Sequence, residues 1–222
     1  MSSPHSLPYL TYLMSYDTGH GRLYDRTRTA FLVNAATLTE LAIGGQVGDD
    51  RGSPRVLSAQ PTGDAVLDDL LTRVAAHRRS WKSWLRHHYR QTLALVETEL
   101  ESAGVITVTH QRFGRRQITV LDPAVVVGLQ SRVRDVMSTG HPGGPADTGD
   151  HGDTGGARDA ALGLLAVTGA VRPVRPTRGG RPGEGHAREL AARLDAVASP
   201  LGRVIPSLRM TMVAAQGGMG GS

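Results

Sequence analysis

Arginine is the residue type in this chain most able to do chemistry, and its spacing concentrates positive charge in one segment. Residues 72–116 contain nine arginine or lysine residues and three glutamates, an excess of about +6 before histidines are counted. Guanidinium groups bind phosphate oxygens through paired N–H donors, so this segment is typical of a surface that meets a phosphate-bearing partner. The cations are Arg73, Arg78, Arg79, Lys82, Arg86, Arg90, Arg112, Arg115 and Arg116.

Three of these cations are predicted to share one face of a long helix, residues 78–103. An apolar stripe at helical spacing runs along that segment: Trp81, Leu85, Tyr89, Leu93, Val96 and Leu100. With about 100° per residue, Arg79, Arg86 and Arg90 lie together beside the stripe. The pattern predicts a basic ridge that binds acidic headgroups, and an ordinary solvated helix face is the alternative interpretation. Trp81 and Trp84 are expected to be core or boundary residues, and Trp84, at the edge of the stripe, is the better candidate for the alternative, an interfacial aromatic residue.

A β-hairpin with a cationic tip is expected after this helix. Two runs of β-type residues, 105–109 and 116–120, flank a loop that contains glycine, and this arrangement indicates a hairpin. Arg112, Arg115 and Arg116 lie in or beside the loop. We therefore expect the tip to adsorb electrostatically to an anionic surface.

Most classes of catalytic and metal site are disfavoured by the sequence. The chain has no cysteine, so disulfides, thiolate metal sites and thiol nucleophiles are excluded. His87, His88 and His110 could suggest a metal, but adjacent helical residues point about 100° apart and no carboxylate is spaced to join them. Motifs of serine hydrolases, zinc proteases and nucleotide-binding loops are missing. The sequence predicts no catalytic residue, no metal and no cofactor. Four carboxylates at helical positions are expected to be solvated: Asp68, Asp69, Glu97 and Glu101.

The elements that position these residues are predicted to be mainly helical. Short β-type runs between turn residues predict a hairpin or an extended loop at residues 47–60 and a hairpin at 105–120. We expect a mainly α fold, with a helical core, peripheral amphipathic helices and one or two β-hairpins. Besides residues 78–103, the helical segments are residues 7–16, 29–43, 64–74, 124–137, 160–168, 187–197 and 206–215.

The domain organisation is expected to be simple. Residues 1–216 are predicted to form a single domain, with flexible insertions near 138–158 and 172–186. A disordered glycine-rich tail is expected at 217–222. The sequence shows neither a secretory signal pattern nor an apolar run of eighteen residues, so we predict a cytoplasmic protein whose membrane contact is peripheral.

Four stretches, in order along the chain, carry a resemblance to a known family. They are the turn at residues 17–23, LTELAIGG at 38–45, PTGDAVLDDLL at 61–71, and the Trp/Arg helix that ends in GVI at 104–106. PTGDAVLDDLL is the most specific of them. Together they resemble the Golgi phosphoprotein-three-like family over about residues 7–216. The arginine-rich composition without cysteine fits an actinobacterial member of that family.

The resemblance implies recognition of phosphatidylinositol 4-phosphate at the cytosolic face of the Golgi membrane. In the family an aromatic residue and three arginines make that site. Asp25, or Tyr24 if the register shifts by one residue, falls at the aromatic position, and Arg90 matches one arginine. Asn34 and Leu93 stand where the other two arginines are expected. The lipid-binding residues that we predict from the resemblance and the charge pattern are Tyr24, Arg79, Arg86, Arg90, Arg112, Arg115 and Arg116.

Two other partners fit parts of the same pattern. A basic helix and an arginine-tipped hairpin could follow the phosphate backbone of a nucleic acid, which is the alternative function. The resemblance also implies an adaptor that binds the cytosolic tails of membrane proteins. The sequence indicates no surface for such a cargo and no oligomeric state.

Overall fold

A computed structural model of the chain describes residues 5–110, 116–139, 152–174 and 184–217, most of which are helical. Three antiparallel hairpins pair β1 (Tyr16–Asp17) with β2 (Arg22–Leu23), β3 (Val47–Asp50) with β4 (Ser53–Val56), and β5 (Ile106–His110) with β6 (Arg116–Val120). The mainly α fold with small hairpins that the sequence predicts is confirmed. The helices are α1 (Leu7–Met14), α2 (Arg26–Ile43), α3 (Ala65–Ala76), α4 (Trp81–Arg86), α5 (Tyr89–Ser102), α6 (Pro123–Thr139), α7 (Gly152–Gly169), α8 (Glu184–Ala198), α9 (Leu201–Val204) and α10 (Leu208–Gly217).

Helix α2 lies at the centre of the fold. It is buried from Thr29 to Ala42, because most of these residues are apolar or small and the buried Asn34 and Glu40 have hydrogen-bond partners. Helices α1, α3, α5, α7 and α8 pack against it. Its threonines satisfy their own hydroxyl groups: Thr37 donates to the carbonyl of Val33 at 2.9 Å, and Thr39 to that of Ala35 at 2.8 Å. The position of α2 therefore determines how the surrounding helices are placed.

Two clusters of buried apolar side chains lie on different sides of α2. The larger one joins α2 to α3, α4, α6, α7 and α8, and includes Phe31, Leu38 and Trp81. The smaller one joins α1, α5 and the β5–β6 hairpin, and includes Tyr12 and Val96. Helices α1, α2, α3 and α6 contribute to both clusters, so the same elements hold the two cores together.

Asp64 of the PTGD sequence joins the start of α3 to the start of α1. As the N-cap of α3 its carboxylate accepts the backbone N–H groups of Val66 at 2.9 Å and Leu67 at 3.3 Å. The same carboxylate accepts the hydroxyl groups of Ser6 at 2.8 Å and Tyr9 at 3.1 Å. Burial and then the charge of Asp64 raise the pKa of Tyr9, which keeps the phenol protonated as a donor.

The turn before α3 is closed by a second carboxylate. Asp68 accepts both the backbone N–H of Thr62 at 2.7 Å and its hydroxyl at 2.8 Å. Between these residues Gly63 has φ +81°, a conformation that side-chain-bearing residues rarely adopt. PTGD is therefore a helix-start motif whose threonine, glycine and aspartate each have a structural task. The expectation that Asp68 is merely solvated is wrong, because its carboxylate holds this turn.

Several predicted boundaries differ from the structure. Helix α7 begins at Gly152, so part of the stretch predicted as a flexible insertion near 138–158 is helical. Likewise Arg172–Val174 form a short 3₁₀ turn, and α8 begins at Glu184 within the second predicted insertion. The remainder of both predicted insertions, and residues 218–222 of the predicted tail, lie outside the described residues.

Replacing Asp64 tests the helix-start motif. Asp64→Ala removes the N-cap of α3 and leaves the hydroxyls of Ser6 and Tyr9 without their acceptor, so the free energy of unfolding should fall by about 3 kcal/mol. Urea denaturation followed by circular dichroism measures it. Glu189→Ala, which removes an exposed carboxylate paired with Arg193, is the matched control and should cost less than about 0.5 kcal/mol. Equal losses in the two variants would refute the role given to Asp64.

Candidate anion-binding surface

The segment predicted as one long helix is two helices with a sharp break. Helix α4 ends at Arg86, His87 is extended, and α5 begins at Tyr89. Between them His88 has φ +62°, the left-handed conformation, which is uncommon for any residue other than glycine. The prediction of a continuous helix over residues 78–103 is therefore wrong.

A buried asparagine holds this break in place. Asn34 of α2 is 1% exposed, and its amide nitrogen donates to the carbonyl of Trp84 at 2.9 Å. Its amide oxygen accepts the hydroxyl of Thr92 at 3.0 Å, so one side chain contacts both α4 and α5. The break leaves the carbonyl of Trp84 near the end of α4, where a side-chain donor can reach it. Asn34 thus has a structural role at a position where the resemblance implies an arginine.

Aromatic side chains pack beneath the start of α5. Tyr89 stacks on Phe31 of α2, with ring centroids 4.0 Å apart and ring planes 19° from parallel. The guanidinium carbon of Arg90 lies 5.6 Å from the centroid of the Tyr89 ring, within range of a cation–π interaction. Trp81 and Trp84 are each 1% exposed, which confirms the prediction that both are core residues and rules out the alternative of an interfacial Trp84. Both are buried because α4 packs against α2, α9 and α10.

The three arginines predicted to form one ridge lie on three successive segments. Arg79 is half-buried in the connection between α3 and α4, Arg86 is the exposed last residue of α4, and Arg90 is exposed in the first turn of α5. The break at His88 separates the last two, so they do not share a helix face as predicted.

The residues at the predicted aromatic position take part in the fold around α2. The hydroxyl of Tyr24 donates to the carbonyl of Gly169 at 2.9 Å, which ties it to the end of α7. Asp25 is the N-cap of α2, and its carboxylate accepts the backbone N–H of Arg28 at 2.9 Å. Leu93, at the other expected arginine position, is 3% exposed in the smaller core.

The surface around the α4–α5 break is rich in cations and poor in acids. Residues 70–96 contain six arginine or lysine residues and three histidines, with no aspartate or glutamate. Arg73 pairs with Asp69 at 2.5 Å, and exposed Arg78 lies 3.3 Å from Asp50. We define the basic face as the remaining cations with the two histidines of the break: Arg79, Lys82, Arg86, His87, His88 and Arg90. Among the described residues, its four arginine and lysine side chains form no ion pair.

The two histidines of the basic face have different surroundings. Nδ1 of His87 lies 2.7 Å from the carbonyl oxygen of Ser83, which can only accept, so this nitrogen carries a proton. Partial loss of solvent, followed by the charges of Arg73, His87 and Arg79, holds the pKa of His88 below its usual value. From the sequence, these two histidines suggested only a metal site. The run of 27 residues without an acid is the signal that could have placed them on the basic face.

The tip of the β5–β6 hairpin cannot be assigned to this surface. Arg112 and Arg115 lie outside the described residues, and Arg116 is described only as the first residue of β6. The body of the hairpin is firmly attached: Tyr16 donates its hydroxyl to the carbonyl of Ile118 at 3.2 Å, and Glu101 accepts the N–H of Val108 at 3.1 Å. The predicted role of the three arginines therefore stays a prediction.

Glu97, predicted to be solvated, is instead at the centre of a buried network. It is fully buried, and its carboxylate accepts both guanidinium nitrogens of Arg26 at 2.5 and 2.8 Å and the hydroxyl of Tyr12 at 3.2 Å. The hydrogen bonds to Glu97 raise the pKa of Arg26 above its usual value. This ion pair joins α2 to α5, so Glu97 takes no part in acid–base chemistry at a surface.

An apolar cavity is the other concave feature near the hairpin. It has a volume of about 280 Å³ and lies between α1, α6 and the base of the β5–β6 hairpin. Leu121 and Val125 at its mouth are 56% and 55% exposed.

Within residues 5–110, 116–139, 152–174 and 184–217, no helix combines the length and apolarity needed to cross a bilayer. In the same ranges, no three histidine, aspartate or glutamate side chains converge on a possible metal position.

Comparison with known protein families identifies the family of this chain. The model of the family described as Golgi phosphoprotein 3 (GPP34) matches residues 7–212, which is nearly the whole chain. No curated protein matches the sequence.

Replacing Asn34 tests the account of the break. Asn34→Ala removes the 2.9 Å donor to the carbonyl of Trp84 and the 3.0 Å acceptor of the Thr92 hydroxyl, and leaves each group only a 3.3 Å bond to the backbone, so the free energy of unfolding should fall by about 2 kcal/mol. Chemical denaturation of purified protein measures the loss. Gln60→Ala, an exposed amide in a loop, is the matched control and should lie within about 0.5 kcal/mol of the unmodified protein. If Asn34→Ala were as stable as the control, the break would not depend on Asn34.

Proposed function

We propose a function from the premise that this chain belongs to the Golgi phosphoprotein 3 (GPP34) family. In this proposal it is a peripheral membrane protein that binds acidic phospholipid headgroups through its basic face. The family match supports a lipid-binding, adaptor-type role without a catalytic step. The alternative is that the basic face binds a nucleic-acid backbone, and competition between vesicles and a DNA duplex tests it.

The observation that carries the proposal is the set of unpaired cations at the α4–α5 break. Lys82, Arg86 and Arg90 are exposed, Arg79 is half-buried, and within the described chain none of the four is paired with a carboxylate. Each cation near an anionic membrane surface contributes about 1 kcal/mol of attraction, so the four together support reversible adsorption. Electrostatic binding of this strength is typical of proteins that exchange between membrane and solution.

Phosphatidylinositol 4-phosphate is the headgroup that the family implies, and we propose it as one ligand among strongly anionic lipids. Of the positions that the resemblance assigns to that headgroup, Asn34 and Leu93 are buried in the core. Arg90 is exposed and Tyr24 is half-buried. We therefore propose that recognition depends on the charge density of the basic face more than on those four positions.

Location and partners follow from the same premise. Where the cell has a Golgi apparatus, the protein would act at the cytosolic face of its membrane. An adaptor role would add the cytosolic tails of membrane proteins as partners.

Charge reversal on the basic face tests the proposal. Arg86→Glu combined with Arg90→Glu should weaken co-sedimentation with vesicles that contain phosphatidylinositol 4-phosphate by at least about tenfold, since two attractions of about 1 kcal/mol become repulsions. Binding of the unmodified protein should fall when salt is raised from low to high concentration. Arg172→Glu combined with Arg209→Glu changes the net charge equally at two exposed sites elsewhere, and should bind nearly as well as the unmodified protein.

Two results would overturn the proposal. One is equal vesicle binding by the two double variants, with both folded by circular dichroism. The other is removal of the protein from vesicles by a short DNA duplex at equal phosphate concentration, which would assign the basic face to nucleic acid.

A further inference from the structure

The apolar cavity between α1, α6 and the base of the β5–β6 hairpin is a concave feature that the proposed function does not use. Backbone groups at its rim bond within the chain: the N–H of Leu121 donates to the carbonyl of Val105 at 3.0 Å, and the N–H of Val105 donates to that of Leu100 at 2.9 Å. Among the described residues that line the cavity, no buried side-chain nitrogen or oxygen lacks a hydrogen-bond partner. A buried water molecule needs several polar partners, so water in this cavity is weakly held and an apolar group displaces it favourably.

The walls of the cavity are aliphatic. Leucine and valine side chains of α1, α6 and the hairpin base form them, and no phenylalanine, tyrosine or tryptophan belongs to the described lining. Nucleotides and most cofactors are held by a few placed polar groups in pockets of about 300–1,000 Å³. This cavity has no such set of groups, whereas a flexible aliphatic chain needs only van der Waals contact with its walls. The wall residues are Leu10, Leu13, Val105, Val120, Val126 and Leu129.

The volume of the cavity indicates the length of that chain. A cavity of about 150 Å³ with similar walls holds one benzene molecule. In proportion to the carbon atoms of benzene, a volume of about 280 Å³ holds about ten carbon atoms. Leu121 and Val125 at the mouth are more than half exposed, so the part of a chain that leaves the cavity covers apolar surface that otherwise faces water.

The charge at the mouth selects the polar end of the ligand. Asp122 and His5 are the ionisable side chains of the described lining, and both are exposed. Asp122 is held in place, since its carboxylate accepts the N–H of Ala124 at 3.0 Å. No arginine or lysine belongs to that lining, so a fatty-acid carboxylate meets a negative charge without a fixed cation to offset it. An uncharged polar end avoids this repulsion and stays hydrated at the mouth.

We infer that the cavity binds a neutral single-chain amphiphile, such as a long-chain alcohol or a monoacylglycerol, with about ten carbons of its chain inside. The site goes beyond the proposed function, because it lies away from the basic face. Arg90 is in the first turn of α5, and Gly104, which lines the cavity, follows the end of that helix, so 14 helical residues spanning about 20 Å separate the two sites. The ligand is therefore taken up from solution as a monomer, independently of a lipid bound at the basic face.

A homologous series of alcohols tests the inference. Hexanol, octanol, decanol and dodecanol are titrated below their solubility limits, and dissociation constants are taken from the NMR shifts of leucine and valine methyl groups. Each added methylene should tighten binding about fourfold as far as decanol, the gain expected for burying one methylene group. The gain from decanol to dodecanol should be much smaller, because the cavity is then full. Dissociation constants that do not depend on chain length would refute the inference.

The same titrations locate the site and test its preference for a neutral ligand. The largest shifts should be those of Leu10, Leu13 and Val126. Decanoate at pH 8 should bind about fivefold more weakly than decanol, the effect of one like charge at close range in water. Asp122→Asn, which keeps a capping side chain at that position, should reduce this difference. Tighter binding of decanoate than of decanol, or shifts confined to the exposed Met210 and Val213 of α10, would contradict the inference.

Matched variants separate the cavity from general apolar surface. Val125 lines the cavity and is exposed, whereas Val127 of the same helix is exposed without lining it. Val125→Trp should obstruct the mouth and weaken decanol binding about tenfold or more, equivalent to losing about two buried methylenes. Val127→Trp should bind decanol as the unmodified protein does. Leu10→Ala enlarges the cavity, so the gain per methylene should continue to dodecanol, which a loss of stability alone does not produce. Equal decanol binding by the two tryptophan variants, or an unchanged chain-length limit in folded Leu10→Ala, would contradict the assignment.

Vesicles distinguish a chain taken from solution from the chain of a bilayer lipid. Val125→Trp should bind vesicles that contain phosphatidylinositol 4-phosphate as well as the unmodified protein does. Arg86→Glu combined with Arg90→Glu should leave decanol binding unchanged. Loss of vesicle binding in Val125→Trp would overturn uptake from solution and assign the cavity to bilayer chains. Decanol binding with the expected chain-length limit, but no vesicle binding by the unmodified protein, would refute the proposed function and support this site.

Discussion

The hydrogen bonds of Asn34 are the interaction on which the basic face depends. The residue is buried in α2, the central helix, and bonds to the carbonyl of Trp84 on one side and the hydroxyl of Thr92 on the other. These bonds attach the end of α4 and the first turn of α5 to α2, one on each side of the break at His88, where the cations are densest. A continuous helix would distribute the same residues around a cylinder. The break instead brings the positive start of α5 together with the side chains of Arg79 and His88.

The distribution of acids explains why the surface at the break is so basic. Several carboxylates are used inside the protein, where each neutralises an arginine from another element or caps a helix. Buried Asp64 receives hydroxyl and backbone donors at the start of α3. With these acids inside, four cations of residues 70–96 have no ion-pair partner among the described residues: Arg79, Lys82, Arg86 and Arg90. Three buried carboxylates pair in this way with arginines that reach the surface: Glu40 with Arg158, Glu97 with Arg26, and Asp159 with Arg132.

The features that could be predicted from the sequence are those that local residues determine. The buried helix α2, the PTGD start of α3 and the hairpins follow from apolar spacing, capping residues and turn residues. The break could not be predicted, because apolar residues keep their three- and four-residue spacing across it and the residue that holds it, Asn34, lies 50 residues before Trp84. Burial of Glu97 depends on Arg26, 71 residues away. The sequence therefore predicts which cations the candidate site contains. Their arrangement could not be predicted, because it depends on contacts between residues far apart in the chain.

Hydrogen–deuterium exchange of the protein on vesicles tests the central claim, that the α4–α5 break faces the membrane. Exchange would be compared, by mass spectrometry of peptides, between protein on vesicles that contain phosphatidylinositol 4-phosphate and protein with neutral vesicles. The account predicts slower exchange across residues 77–92 and unchanged exchange in α10. Protection at the apolar cavity between α1 and α6, with residues 77–92 unchanged, would contradict it.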